Sequence, residues 1–496
     1  MSFAATLARP RAGLLVCALA VTLVQASSAS AQTTPGDPSI SGAAIAPTGA
    51  SPTSQNGYLA GIWKRTNLLG DMGGVRAMLG DYGISLGLQE TSEVLGNVTG
   101  GARKGWVYDG VTLLSIGVDS AKAFGWDNGV FNMSFLQIHG GNLSGQDLFN
   151  LQTASGITAS PSTRLWELWY QHTLFEGTVD LKIGQQSIDQ EFLTSAGASL
   201  FVNTALGWPV AGSANLYASG PTYPLSSLGV RLRGRPAERL TLLAGVFQDN
   251  PPGGPFNDDS QLRGATRWGG NFNLRTGALL IAEAQYALNQ PANGDMVDAA
   301  EPASLPGTYK LGGWFDTAPF NNQRFDSAGR SLAEPASSGV AGQLRPNFSL
   351  YAVIDQSIWR PDPAGPRLVN VFLRAEGAPS DRNVIEFGFN AGITVKALLP
   401  GREDDAFGIG YGLAKVSGAA IGLDKDIAFY SSAPYPKRSS ESFIEVTYQI
   451  QVNPWWQIQP DFQYIFLPGG GIPNPNLPHQ RISNEAIFGV RTNITF

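Results

Sequence analysis

Three arginines stand at alternate positions in Gly229-Val230-Arg231-Leu232-Arg233-Gly234-Arg235. Side chains of an extended strand alternate between two faces. Arg231, Arg233 and Arg235 therefore share one face, and Val230 and Leu232 the other. A guanidinium is always charged and presents a planar fork of donors. That chemistry suits hydrogen bonding to sugar hydroxyls, or an electrostatic barrier in a pore constriction. The plainer reading is a row of interior arginines neutralised by facing carboxylates. A second array lies near the C-terminus, where Glu445, Gln449 and Gln451 precede Gln457, Gln459, Asp461 and Gln463 at the same spacing. Amides and carboxylates together offer donors and acceptors, which match a neutral polyol better than a phosphate, for which a lysine cluster is expected. The plainer reading here is simple wetting of a water-filled interior.

Other chemistry finds little support. Gly83-Ile84-Ser85-Leu86-Gly87 fits the spacing of a hydrolase nucleophile elbow, but that motif needs a strand, a strained turn and then a helix. Here the stretch follows a helix-like segment and runs into an alternating strand. His139, His172 and His479 are isolated, with no metal-ligand spacing. Neither catalytic residues nor a cofactor or metal is expected.

The elements that would position the two arrays are strands. Ile444, Val446, Tyr448, Ile450 and Val452 alternate with Glu445, Thr447, Gln449 and Gln451, and after Asn453-Pro454 the run from Trp456 to Phe466 alternates again. This predicts a hairpin with one greasy and one polar face. Similar alternation occurs at 385–395, where Ile385, Phe387 and Phe389 share a face, and at 407–413, where Gly408, Gly410 and Gly412 form the opposite face. It recurs less cleanly back to Ile84, and the last strand runs to Phe496 with Phe488, Val490, Thr492 and Ile494 on its face and Arg491 and Asn493 on the other. About seventeen candidate strands emerge, and since bacterial single-chain barrels close with an even number, sixteen is the better count. Leu68 to Asp81 reads as a short helix before them. Long Gly/Pro/Asn/Asp stretches at 249–265, 288–306 and 316–345 predict long loops on one side, and aromatics including Trp166, Trp314, Trp359, Trp455 and Trp456 predict girdles at the membrane interfaces.

Composition agrees with a transmembrane antiparallel β-barrel of the all-β class. Charged residues make up 15% of the chain against roughly 25% in ordinary soluble proteins, and 60 of 496 residues are glycine. A net charge of −6 argues against nucleic acid as a partner. Beyond the first residues no run of about 18 apolar residues offers a transmembrane helix. Arg9 and Arg11, the apolar stretch Ala12–Val24 and Ala29-Ser30-Ala31 read as a removed secretory signal over 1–31. The only cysteine, Cys17, falls inside it. Residues 32–57, rich in Pro, Ser, Thr and Gly, read as a flexible periplasmic leader, leaving 58–496 as the barrel domain.

Eight phrases in order resemble the carbohydrate-selective porins of the OprB family: LLGDMGGVRAMLGDYGI (68–84), TRLWELWYQ (163–171), KIGQQSIDQEF (182–192), YPLSSLGVRLRGRP (223–236), GVFQDNPP (245–252), YKLGGWFDT (309–317), YAVIDQSIWR (351–360) and NPWWQIQPDFQYIFLPGG (453–470). The resemblance implies a sixteen-stranded barrel in the outer membrane of a Gram-negative bacterium, through which glucose and related sugars diffuse inward. By motif match it places Arg231 and Arg233 in a narrowed lumen. The expected function is a passive channel for monosaccharides or small polyols, with sugars and outer-membrane lipids as partners and a homo-oligomer left open. The rivals are a general, weakly selective porin and an enzyme or adhesin anchored by a barrel.

Overall fold

The computed structural model describes residues 61–255, 261–270, 272–289 and 305–496. The expected signal and leader lie outside these residues. The alternating segments form sixteen antiparallel strands closed into one barrel. The first eight are β1 (Ile84–Thr99), β2 (Trp106–Asp119), β3 (Gly129–Gly140), β4 (Ser162–Leu174), β5 (Val179–Gln186), β6 (Ser227–Ala237), β7 (Leu240–Gln248) and β8 (Ala278–Leu288). The second eight are β9 (Gly307–Asp316), β10 (Asn347–Trp359), β11 (Leu368–Gly377), β12 (Ile385–Lys396), β13 (Ala406–Val416), β14 (Ser440–Asn453), β15 (Trp456–Phe466) and β16 (Glu485–Thr495). Each strand pairs with its neighbour in sequence, and β16 returns to β1 with Thr91 opposite Asn493 and Val94 opposite Val490. A closed ring satisfies every ladder without an edge, which is the condition for crossing hydrocarbon with strands. No helix among the described residues is long and apolar enough to cross.

Face assignment follows the sequence pattern. Val230 and Leu232 point outward, 44% and 49% exposed, while Arg231 between them is 1% exposed. Outward apolar side chains such as Leu242, Leu311, Leu350 and Val490 repeat this around the ring, so the barrel carries an apolar belt outside and a polar interior. Ser85, the serine of the elbow-like motif, is an ordinary exposed residue near the start of β1.

Several expectations need correcting. The helix before β1 spans only Val75–Asp81, because Gly70, Gly73 and Gly74 take positive φ and stop it from extending back to Leu68. Trp314 and Trp166 are 2% and 1% exposed and pack inside, not in a girdle. Trp106, Phe124 and Trp126 are the exposed rings instead. A bulge between Ile385 and Phe387 turns Ile385 inward, off the face it was expected to share with Phe387. Not all long connections share one end: 289–306 joins β8 to β9 at the end carrying the termini, whereas 249–277 and 317–346 lie at the opposite, loop end. The 317–346 connection contains a two-stranded ribbon, Phe320–Asp326 with Ala341–Leu344.

Residues before β1 fasten the seam. Arg76 donates to main-chain oxygens of Leu86 and Phe496. The Leu68 amide donates to Thr495 O at 2.8 Å, and Trp455 Nε1 to Ile62 O at 2.7 Å.

Candidate functional site: the lumen

Two loop-end connections fold into the barrel. The longer, 187–226, joins β5 to β6 but is held by β8, β10, β11, β12, β14, β15 and β16, so it crosses the lumen. Backbone entering an interior needs partners for its amides and carbonyls, and the wall supplies charged ones. Glu445 accepts from the amides of Val202 at 2.6 Å and Asn203 at 3.1 Å. Glu376 accepts from Ala211 N at 2.6 Å, Glu283 from Leu193 N at 2.8 Å and Asp355 from Gly197 N at 2.9 Å. Arg374 takes the carbonyls, donating to Leu193, Gly207, Ala205 and Leu206 at 2.5–3.2 Å. Lys310 donates to Thr194 O at 2.8 Å.

The apolar part of the loop finds its own seat. A Cβ on Gly408 would come within 2.8 Å of the Phe201 ring, and one on Gly410 within 2.8 Å of Leu206. The inward glycine row of β13 is therefore a flat wall against which Phe201 and Leu206 lie. The second inward connection, 141–161, is held by Glu441, which accepts from Leu151 N and Gln152 N at 2.7 Å each, and by Gln463 Nε2 donating to Ala154 O at 2.8 Å.

The arginine stripe sits on the other wall. Arg231 ion-pairs with Asp180 and, at 2.6 Å, with Glu191. Arg233 reaches the same Asp180 at 2.7 Å, and Arg235 at 3.7 Å. Lys182 pairs with Glu191 and lies 4.4 Å over the Trp169 ring. Four cations thus share two ion-paired carboxylates, Asp180 and Glu191. Burial pushes the Glu191 carboxyl up, but Lys182, Arg231 and Arg233 together hold it well below the usual carboxylate range. Arg231 is sealed, while the side chains of Arg233 and Arg235 keep 15% and 14% of their surface.

The family model for carbohydrate-selective porins, OprB family, matches residues 103–496. The chain belongs to the OprB family. It is a sugar-selective channel of the bacterial outer membrane and not an enzyme. Porin B of Pseudomonas aeruginosa is 23% identical over 447 residues, covering 86% of this chain and 91% of that one. A putative porin, QuiX, of Acinetobacter baylyi is 23% identical over 425 residues, covering 81% and 89%. The high-pH structure of Pseudomonas putida OprB superposes with a TM-score of 0.75 at 22% identity, covering 87% of this chain and 99% of that one, which shows the shared fold.

Within this OprB-family barrel the residues singled out from sequence fall into two groups. Arg231, Glu445, Gln459, Asp461 and Gln463 are buried, at 5% exposure or less. Gln459 donates to Leu200 O at 2.7 Å, and Gln463 to Asp461 at 3.0 Å. Arg233, Arg235, Gln449 and Gln457 keep partial exposure. Gln457 joins Gln451 at 2.8 Å and Asn493 at 3.3 Å, and Asn493 accepts from Thr91 at 2.7 Å, a polar ladder across β14, β15, β16 and β1. Sequence reasoning missed Arg374, Lys310, Glu283, Asp355 and Glu376. Their signal is a charge at an inward position of an otherwise apolar strand, as in Leu373-Arg374-Ala375-Glu376.

Proposed function

We propose that the channel passes monosaccharides and small polyols of the glucose type by passive diffusion across a Gram-negative outer membrane. The observation that carries this reading is the crossing of the lumen by 187–226, which Glu191 ties to an arginine stripe whose Arg233 and Arg235 stay accessible. A narrowed, polar passage lined by charged side chains supports neutral hydroxyl-rich solutes over large or apolar ones. Arg233, Arg235, Gln449 and Gln457 are the side chains proposed to touch the solute. Arg231, Glu445, Gln459, Asp461 and Gln463 belong to the same proposed site by shaping it. The proposal includes a removed signal over 1–31, a periplasmic leader over 32–57 and lipid contact around the belt.

Liposome swelling tests it. Vesicles containing the purified protein are expected to swell faster in glucose than protein-free vesicles and much faster than in a trisaccharide. Equal rates with and without protein would remove the channel reading. Equal rates for both sugars would leave a general porin.

A further inference from the structure

Three buried oxygen atoms at the loop end of β7–β9 have no hydrogen-bond donor. They are Oε1 of Gln248, Oδ2 of Asp249 and Oδ2 of Asp316. Gln248 is 6% exposed and both aspartates are 0% exposed. The other polar atoms of these side chains are engaged. Asp249 Oδ1 accepts from Thr276 Oγ1 at 2.5 Å, Gly277 N at 2.8 Å and Gln248 Nε2 at 3.2 Å, and Asp316 Oδ1 accepts from Ala318 N at 2.8 Å.

The strands bring the three together. Gln248 stands opposite Ala278, and Asp316 opposite Leu279, so the start of β8 lies between the two carboxylates. Gly277, just before β8, lets Asp249 lean across it. A Cβ there would come within 3.0 Å of Asp249 Oδ2 and 2.8 Å of the Ala318 amide, the one that Asp316 holds. Asp249 and Asp316 lie within electrostatic range of each other and of Tyr217. Their surroundings are apolar: Trp314 and Ala318, two positions to either side of Asp316, belong to separate apolar clusters that also contain Phe247 and Phe320. No lysine or arginine pairs with either aspartate among the described residues. Arg345, the cation in range of Tyr217, is exposed. A buried carboxylate is costly unless it is paired or bound to a metal. A proton shared between the aspartates would leave one negative charge and would not serve the Gln248 oxygen.

We propose that Asp249, Asp316 and Gln248 hold a divalent cation, Ca²⁺ by preference, at the loop end of the barrel. Carboxylate and amide oxygens are hard donors, and Ca²⁺ takes roughly six to eight such oxygens in a loose shell that main-chain carbonyls and water help to fill. Zinc favours nitrogen and sulfur ligands, which are missing here, and the described residues gather no group of three or more His, Cys, Asp or Glu. Bound there, the ion ties the connection 249–277 to 317–346. Through Tyr217, whose hydroxyl donates to Pro319 O, it also reaches the inward loop 187–226.

The test takes the purified protein in detergent, strips it with EDTA and titrates it with CaCl₂, reading thermal unfolding, retained calcium by elemental analysis, and Tb³⁺ luminescence excited through tyrosine and tryptophan. Ca²⁺ is expected to raise the unfolding temperature saturably, to be retained through gel filtration, and to displace Tb³⁺. Asp249→Asn with Asp316→Asn should abolish all three responses. Gly277→Ala, which keeps every ligand but crowds Asp249, should weaken Ca²⁺ binding about tenfold. Glu403→Gln, at an exposed acid of the opposite end, should change nothing. Strand circular dichroism and glucose swelling on the same samples report folding and conduction separately from metal binding. A natural chain that neither retains Ca²⁺ nor is stabilised by it would overturn the proposal, as would a folded double variant with an undiminished response. Should the double variant not fold, unweakened Ca²⁺ binding by Gly277→Ala would overturn it equally.

Discussion

The β14–β15 hairpin and the β5–β6 strand pair both turn a polar face inward, yet they use it differently. On β14–β15, carboxylates and amides are consumed by the backbone of the inward loops, with Glu445 holding Val202 and Asn203 and Gln463 holding Ala154. On β5–β6 the cations are held by side-chain carboxylates, and since Asp180 is shared among three arginines they are incompletely matched. One pair of strands shapes the passage and the other supplies its field. Polar residues facing a lumen are therefore not equivalent: the chemistry left for solute is what remains after the loops have been satisfied.

Substitutions should separate the two roles. The largest effect is expected on the shaping side at Arg374→Ala, which strips donors from four loop carbonyls. Stability should fall by about 4 kcal/mol, read by thermal unfolding, and single-channel conductance should rise as 187–226 loosens. Glu445→Ala should act in the same direction, by about 3 kcal/mol for two orphaned amides. An unchanged conductance in both would mean that the loop is not held by these contacts.

On the field side, Arg233→Ala should lower stability by about 2 kcal/mol, less than Arg374→Ala because Asp180 keeps Arg231, while shifting reversal potential toward cation preference. Arg235→Ala should do the same more weakly, being 3.7 Å from Asp180 and not 2.7 Å. A large stability loss without a selectivity change would place these residues with the shaping group.

The smallest effect concerns pH. The Glu191 carboxyl is held below its ordinary value, so its ionisation stabilises the fold fully above about 4.3, the unfolded value, and this is lost as pH falls toward the lower folded value. Glu191→Gln should flatten the acid limb of a stability–pH curve measured from pH 6 to 3.

Much of the architecture was legible because period-two alternation is a local property. Val230, Arg231 and Leu232 reveal their faces from three letters, and the even-number rule settled the strand count. What was not legible depends on partners far away in sequence. Glu445 looks like a lumen-lining acid until Val202 and Asn203 arrive from a loop 242 residues earlier. Trp166 and Trp314 look like girdle residues because type alone does not report that clusters inside the barrel cover them. The inward loops left one trace, the row Gly408, Gly410 and Gly412, whose missing side chains make room for Phe201 and Leu206 at the first two positions and for Phe443 and Gln152 at the third.

The fastening of the seam bears on how such a chain is assembled. Arg76 and Phe496 are separated by 420 positions, whereas every other strand pair joins neighbours in sequence. The entropy of closing a loop grows with the logarithm of its length, roughly 0.6 kcal/mol per doubling, so the β1–β16 junction has the highest closure cost of the ring. It is the step that must wait for β16. By meeting Phe496 and Leu86 with one guanidinium, Arg76 adds a bond that forms only when both ends arrive, making completion of the circle more cooperative than the ladder alone.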